Sequence, residues 1–518
     1  MAHRITLALI GSAVGGAALL LWATISATPA QAHGFGERYD LPLPLSLFVI
    51  TGAAAVLLSF VVAAVFLRGG ATHREYPRWN LLRAPVIGRL LGSAWVTTTL
   101  QLLSILLTVY VILGALIGTE RAALNPAPAA VYVAFWVGLS FFTALFGNLW
   151  ALVNPWSAAW GLAERIAGHR LGGRRRYPVR WGQWPAVVVF AGFAILETVA
   201  GDAAGPRALG WILVGYTAYN LIGMHRYGRD AWVRNAEGFA VVYGFMARFS
   251  VTEVRVPGSV GAGRSDRGRG SAGERDWVDC YERYRSAQPD QREFNLRPPC
   301  VGLNRLGDVT PPVLCLVILL LSTVSFDGLS ATPEWLVFST QFLLQFPRIG
   351  GYLANLVGAI GLPIVFGLVY LATCGAMAMA AGSASDGRPD ARQLARAFVF
   401  SLLPIALAYH YAHFIGFLLI NGQRFIVLAS DPFGWGWDLF GTADAIINIG
   451  ILSPVFIWYF SISAIVIGHI AGVYLAHVQA VRLYSDRRSA LLSQVPMLAL
   501  MVCYTCASLW IISRPIAE

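Results

Sequence analysis

Imidazole and carboxylate groups set among apolar residues are the parts of this chain whose type and spacing suit chemistry. Four histidines fall within long apolar runs toward the C-terminus: His410 and His413 in HYAH, and His469 and His477 in GHIAGVYLAH. Ionisable side chains are costly at membrane depth, so they usually face a bundle interior or a polar cavity and mark a site. His410 and His413 are one helical turn apart and on one side of a helix, so both rings can serve one metal ion or one proton transfer. His469 and His477 are eight positions apart, ~12 Å along a helix axis, which is too far to share an ion directly. Carboxylates gather at the ends of the same runs: Glu197, Asp202, Asp327, Glu334, Asp431, Asp438 and Asp444. The expected catalytic group is therefore His410, His413 and Asp327, with His469 reaching in across a helix interface. Such nitrogen and oxygen donors suit a divalent metal, with zinc, manganese, iron and copper all compatible. The bland alternative is that each imidazole makes one interhelical hydrogen bond.

The elements that must position these groups follow from composition. Of 518 residues, 57% are apolar and 13% are charged. Runs of about 20 apolar residues match the hydrocarbon thickness of a bilayer. Continuous rather than alternating runs select helices over a barrel. The fold class is thus an all-α, polytopic transmembrane helical bundle. Ten spans are expected, at about 43–67, 94–118, 129–153, 184–200, 207–224, 311–326, 352–380, 394–420, 453–480 and 496–513. Five lie in 33–224 and five, with the candidate site, in 311–518.

Residues 1–32 read as a signal peptide: His3 and Arg4, an apolar core from Ile5 to Ile25, and the small-residue cut site Ala30-Gln31-Ala32. The alternative is an uncleaved first helix, because this core exceeds the ~7 to 15 residues of an ordinary signal. Cleavage would leave His33 at the new N-terminus, where amine and ring together can hold copper.

Every one of the 38 Lys+Arg positions is arginine. With the mature N-terminus outside, 31 of them fall in connections on the cytoplasmic side and six on the outer side, with Arg4 in the leader. That bias is the positive-inside pattern, and it places the protein in a bacterial cytoplasmic (inner) membrane. The formal net charge of +11 is then a topology signal, with no nucleic-acid partner implied. The largest polar segment, 225–310, is expected in the cytoplasm. It opens with an interfacial amphipathic helix over 230–251 carrying Trp232, Phe239, Val242 and Phe245. It continues as a flexible Gly/Arg-rich loop over 258–275 with no second globular domain. Cys503 and Cys506 form a CxxC inside the last apolar run, where small apolar residues at helical spacing explain it as well as redox or metal chemistry does.

The segments HGFGERYDLPLPL, GNLWALVNPW, STVSFDGLSATPEW, AYHYAHFIGFLLINGQ and VIGHIAGVYLAH, in that order, resemble those of a bacterial family of membrane-bound fenitrothion hydrolases. They spread over most of the chain, with the arginine-rich stretch least similar. The resemblance implies hydrolysis of the aryl ester bond of an organophosphorus triester, releasing a nitrophenol and a dialkyl thiophosphate. It carries no catalytic residues over to this chain. Such a neutral, apolar substrate can enter from the bilayer, and its hydrolysis needs an activated water and stabilisation of developing charge, both of which a metal supplies. No GxSxG elbow is present, which weighs against a serine hydrolase of that kind. The sequence reading is therefore an outward-facing, metal-assisted phosphotriesterase. Two other classes stay open: a proton-coupled transporter using the descending histidines, and a copper-handling membrane protein using His33.

Overall fold

The computed structural model describes residues 44–66, 76–200, 205–256, 287–305, 309–381 and 389–514, the short strands at 32–34, 37–39 and 277–278, and the single positions 281 and 284. The expected signal peptide and the Gly/Arg-rich loop over 258–275 lie outside the described residues, apart from the backbone of Ala32 in the first strand.

In lipid, backbone amides must be satisfied within the segment, so the long apolar runs fold as helices. Nine described helices are long and apolar enough to cross a membrane: α1 (Leu45–Phe66), α2 (Ala94–Ile117), α3 (Pro126–Phe146), α4 (Val179–Val199), α6 (Pro311–Ser330), α7 (Gly350–Ala380), α8 (Ala391–Ser430), α9 (Pro454–Leu483) and α10 (Arg487–Ile512). The remaining one of the ten expected spans is also a helix, α5 (Pro206–Tyr227), but Tyr216, Thr217, Tyr219, Asn220, His225 and Arg226 leave it less apolar than the other nine. Helix starts follow the usual chemistry. Proline occupies the first turn of α3, α5, α6 and α9, where its missing N–H costs nothing, and Asn125 and Ser453 cap α3 and α9 with their side-chain oxygens.

Burial sorts the helices into inner and outer ones. In α6 and α8, 67% of the apolar window is buried inside the protein, against 11% in α7 and 17% in α2, whose exposed leucines, valines and isoleucines suit lipid contact. Helix α9 lies tight against α8 because Gly468 and Gly472 form a small-xxx-small step. A Cβ at Gly468 would sit 2.2 Å from the Ala408 Cβ, and one at Gly472 would sit 2.7 Å from the Ser401 carbonyl oxygen.

Two parts differ from the sequence expectation. The stretch expected as an interfacial amphipathic helix is broken into helices Arg229–Asn235 and Gly238–Met246, with Trp232, Phe239, Val242 and Phe245 buried in the protein core. The break is Glu237, itself fully buried. Its carboxylate accepts from Trp150 Nε1 (3.1 Å), Asn154 Nδ2 (3.1 Å), the Ala240 amide (2.6 Å), the Phe239 amide (3.3 Å) and the Tyr216 hydroxyl. Those apolar residues therefore meet protein, because a satisfied carboxylate lets the chain fold inward. The second difference is a four-stranded antiparallel sheet, ordered Trp79–Asn80, Glu293–Leu296, Thr252–Val256 and Trp277–Val278. It ties the polar segment to the chain just before α2. Its centre is a fully buried ion pair, Arg297 to Glu253 at 2.9 Å, with Tyr76 donating to the same carboxylate.

This sheet marks the arginine-rich end of the bundle. Arg487 at the start of α10 donates to the Ala64 carbonyl near the end of α1, and Arg482 at the end of α9 donates to the Asn304 carbonyl. At the opposite end, Thr119 after α2 bonds the Phe433 carbonyl, Arg207 pairs with Glu120 at 3.1 Å, and Arg514 after α10 pairs with Glu334 at 2.9 Å.

Candidate functional site

Near that arginine-poor end, the C-terminal part of α6 meets α8. Asp327 is one turn before the end of α6, and its neighbour Gly328 lets α8 approach: a Cβ there would be 2.2 Å from the Tyr409 hydroxyl. His413, one turn beyond Tyr409 on α8, places Nε2 2.8 Å from Asp327 Oδ2. Both side chains are about a quarter exposed (25% and 24%), so the pair is partly desolvated and still open to water. The other ring nitrogen, Nδ1, has no partner among the described residues. With Nε2–H donated to the carboxylate, Nδ1 presents a lone pair.

Two helices with an irregular turn complete the surroundings. Helix α3 is π-helical over Ala129–Gly138 and α4 over Leu196–Ala200, and such wide turns re-aim side chains, often at functional sites. The first carries Trp136 and the second Glu197. The Glu197 carboxylate lies within electrostatic reach of Asp327 and beside the Trp136 indole. The Trp136 Nε1–H nonetheless finds no acceptor at hydrogen-bond geometry. Tyr409 is within electrostatic reach of both Asp327 and Tyr504 of α10, and its buried hydroxyl has no hydrogen-bond partner among the described residues. Tyr504 shares a 2.5 Å hydrogen bond with Ser325, half a turn before Asp327 on α6.

The expected histidines do not converge. His410 is buried, with its ring 5.2 Å from Trp136, 5.7 Å from Phe141 and 4.8 Å from Phe414, and neither ring nitrogen has a hydrogen-bond partner among the described residues. It borders a void of about 10 Å³ lined by carbon, including Met246, Leu320 and Leu407. Positions three apart on a helix differ by roughly 60° around the axis, enough to turn His413 to α6 and His410 to α3. The reading that both rings face one ion is corrected on that ground. His469 is buried in the α9 interface, where Nδ1 donates to the Ile465 carbonyl at 2.8 Å and the ring lies 5.7 Å from Tyr504. His477 bonds Gln494 of α10 at 3.1 Å.

Of the proposed metal ligands, the structure thus joins Asp327 and His413, while His410 and His469 are held in separate contacts. Among the described residues, no three His, Cys, Asp or Glu side chains are grouped closely enough to hold a metal ion. The backbone of His33 pairs opposite Arg38 in a short hairpin, and its side chain lies outside the described residues. The CxxC cysteines are free thiols, Cys506 buried and Cys503 half-buried. Sequence reasoning placed Glu197 at the correct end of its helix but not in this group, and it missed Trp136, Tyr504 and Ser325. Nothing local in their surrounding residues separates them from ordinary membrane-helix positions. Comparison with protein-family models, curated proteins and solved structures finds no match for this chain.

Proposed function

We propose that the Asp327–His413 pair is a general-base dyad that hydrolyses uncharged, apolar esters at the outer boundary of a bacterial inner membrane, organophosphorus triesters of the fenitrothion type being the class to try first. The single observation that carries this reading is the 2.8 Å contact between a carboxylate and an imidazole whose second nitrogen is unpartnered. In neutral His413, Asp327 fixes the Nε2–H tautomer and leaves Nδ1 to take a proton from water as the oxygen attacks phosphorus. The bond from phosphorus to the aryl oxygen breaks, and the imidazolium returns its proton to the departing phenolate. The products are a dialkyl thiophosphate and a phenol, with the base restored. Such a substrate partitions into the bilayer, and the partial exposure of the Asp327 and His413 side chains, about a quarter each, leaves the pair open to it. The outward orientation rests on the arginine bias. Among the described residues no three donors are grouped to hold a metal ion, and no step is assigned to one.

The test is release of nitrophenol by purified, detergent-solubilised protein. Turnover is expected in the wild type and a loss of at least 10²-fold in His413→Ala. No release by the wild type, or full release by the variant, overturns the assignment.

One observation favours a second reading, a proton path for coupled transport. Asp327, Tyr409, Tyr504, Ser325 and His469 form a string of polar groups running from the arginine-poor end into the bundle, with the Tyr409 hydroxyl and His469 Nε2 unpartnered. Intramembrane relays use such series. Proton flux into proteoliposomes that Tyr504→Phe abolishes would support it, and a tight wild-type vesicle would dismiss it.

A further inference from the structure

A large cavity lies at the opposite end, on the arginine-rich face, and takes no part in the chemistry above. It is an open groove of about 1470 Å³. Its lining includes exposed leucines, Leu90 and Leu91 of the short helix Pro85–Gly92 and Leu100 and Leu102 of α2. The same lining carries six arginines, Arg165, Arg170, Arg229, Arg234, Arg248 and Arg292, against two carboxylates, Glu164 and Asp230. Those carboxylates are taken by Arg229, at 3.8 Å and 3.2 Å respectively. Arg248 lies over the Phe245 ring and Arg292 over the Tyr284 ring, so both cations are held at the groove. Arg165 and Arg170 are exposed, with no acidic partner among the described residues.

We propose that this groove binds an acidic phospholipid of the membrane leaflet on the arginine-rich side. The positive-inside rule requires arginines on one side of the membrane; it does not require six of them to line one cavity together with exposed leucines. That combination of cationic and apolar lining matches an amphiphile whose head is anionic and whose tail is hydrocarbon. The volume exceeds the ~300 to 1,000 Å³ of a drug-sized ligand site and is far too large for a single phosphate ion. A zwitterionic lipid would bring its own cation among the arginines. The identity of the leaflet as cytoplasmic rests on the orientation proposed above, whereas the binding itself does not depend on hydrolysis at Asp327 and His413.

The experiment is native mass spectrometry of the purified full chain in detergent, titrated with phosphatidylglycerol, with phosphatidylcholine and with inorganic phosphate. Phosphatidylglycerol adducts are expected to outlast phosphatidylcholine adducts by at least tenfold in lipid concentration. Arg165→Gln/Arg170→Gln should weaken phosphatidylglycerol binding about 25-fold, roughly fivefold for each arginine. The control Arg392→Gln/Arg396→Gln, exposed elsewhere near the start of α8, should leave binding unchanged. Equal retention of the two lipids, an unaffected groove variant, or displacement of phosphatidylglycerol by equimolar phosphate would each overturn the proposal. Should the groove variant fold poorly, the wild-type competition between the two lipids decides alone. Nitrophenol release measured on the same preparations reads the catalytic proposal separately.

Discussion

Asp327→Asn is the sharpest perturbation of the proposed dyad, because it removes one charge and leaves the shape nearly intact. As His413 takes a proton, it becomes a cation 2.8 Å from the Asp327 carboxylate. Two unit charges at that distance attract by about 6 kcal/mol at an effective dielectric of about 20. Both side chains are about a quarter exposed, so water screens the pair and roughly half of that, about 3 kcal/mol, is a fair figure. Lost from the transition state, it lowers kcat/KM about 10²-fold. The assay is the initial rate of nitrophenol release across substrate concentrations, with Tm recorded to show that the variant folds. If the two residues act as a unit, Asp327→Asn/His413→Ala should be no slower than His413→Ala alone. An Asp327→Asn enzyme within about threefold of the wild type, or a double variant whose losses multiply, would refute the dyad.

Two further outcomes test how the protein is held together. Glu237→Gln should destabilise it by about 2 to 4 kcal/mol, read as a lower Tm, because the new amide turns N–H groups toward the donors of Trp150, Asn154 or Ala240. Burial pushes the Glu237 carboxyl above its ordinary 4.5, with its hydrogen-bond donors pulling the other way. The stability linked to that proton is present below 4.5 and is lost as pH rises through the raised value, so the variant should also flatten this part of the pH dependence. Burial likewise pushes the Cys300 thiol from 9.0 up to about 12, against the pull of Arg297. At pH 8 its thiolate is roughly 1000-fold scarcer than that of an ordinary thiol, so maleimide should label Cys300 at that reduced rate until the protein is unfolded.

The legible part of this molecule is the part written with helical or bilayer periodicity. Most apolar runs gave their helices to within a few residues, whereas α3 ends before the expected 153, α8 continues past 420 and α10 begins well before 496. Asp327 and His413 could be paired from sequence because each sits near the same end of its run, a placement that helix rise alone determines. Azimuth is a different matter. His410 is one turn from His413, yet a rotation of roughly 60° sends it into Trp136 and Phe414, and only the packing of α3 and α6 around α8 decides which ring meets the acid. The π-helical turns in α3 and α4 compound this, since one extra residue in a turn shifts every later side chain around the axis, Trp136 and Glu197 among them. The sheet escaped for a related reason. Its two- to five-residue strands come from positions near 79, 254, 278 and 295, and no local pattern reports pairings at such separations. Glu237 shows the same limit within a single segment. Beside Trp232 and Phe239 it reads as the polar edge of an amphipathic helix, and only its donors, drawn from Trp150, Asn154 and Tyr216 far away in the chain, make it the point where that helix breaks and turns inward. Sequence therefore reports depth along each helix well and rotation about it poorly. Because a dyad needs both, the carboxylate and imidazole that depth placed at one level remained candidates until the glycine at 328 let their helices close.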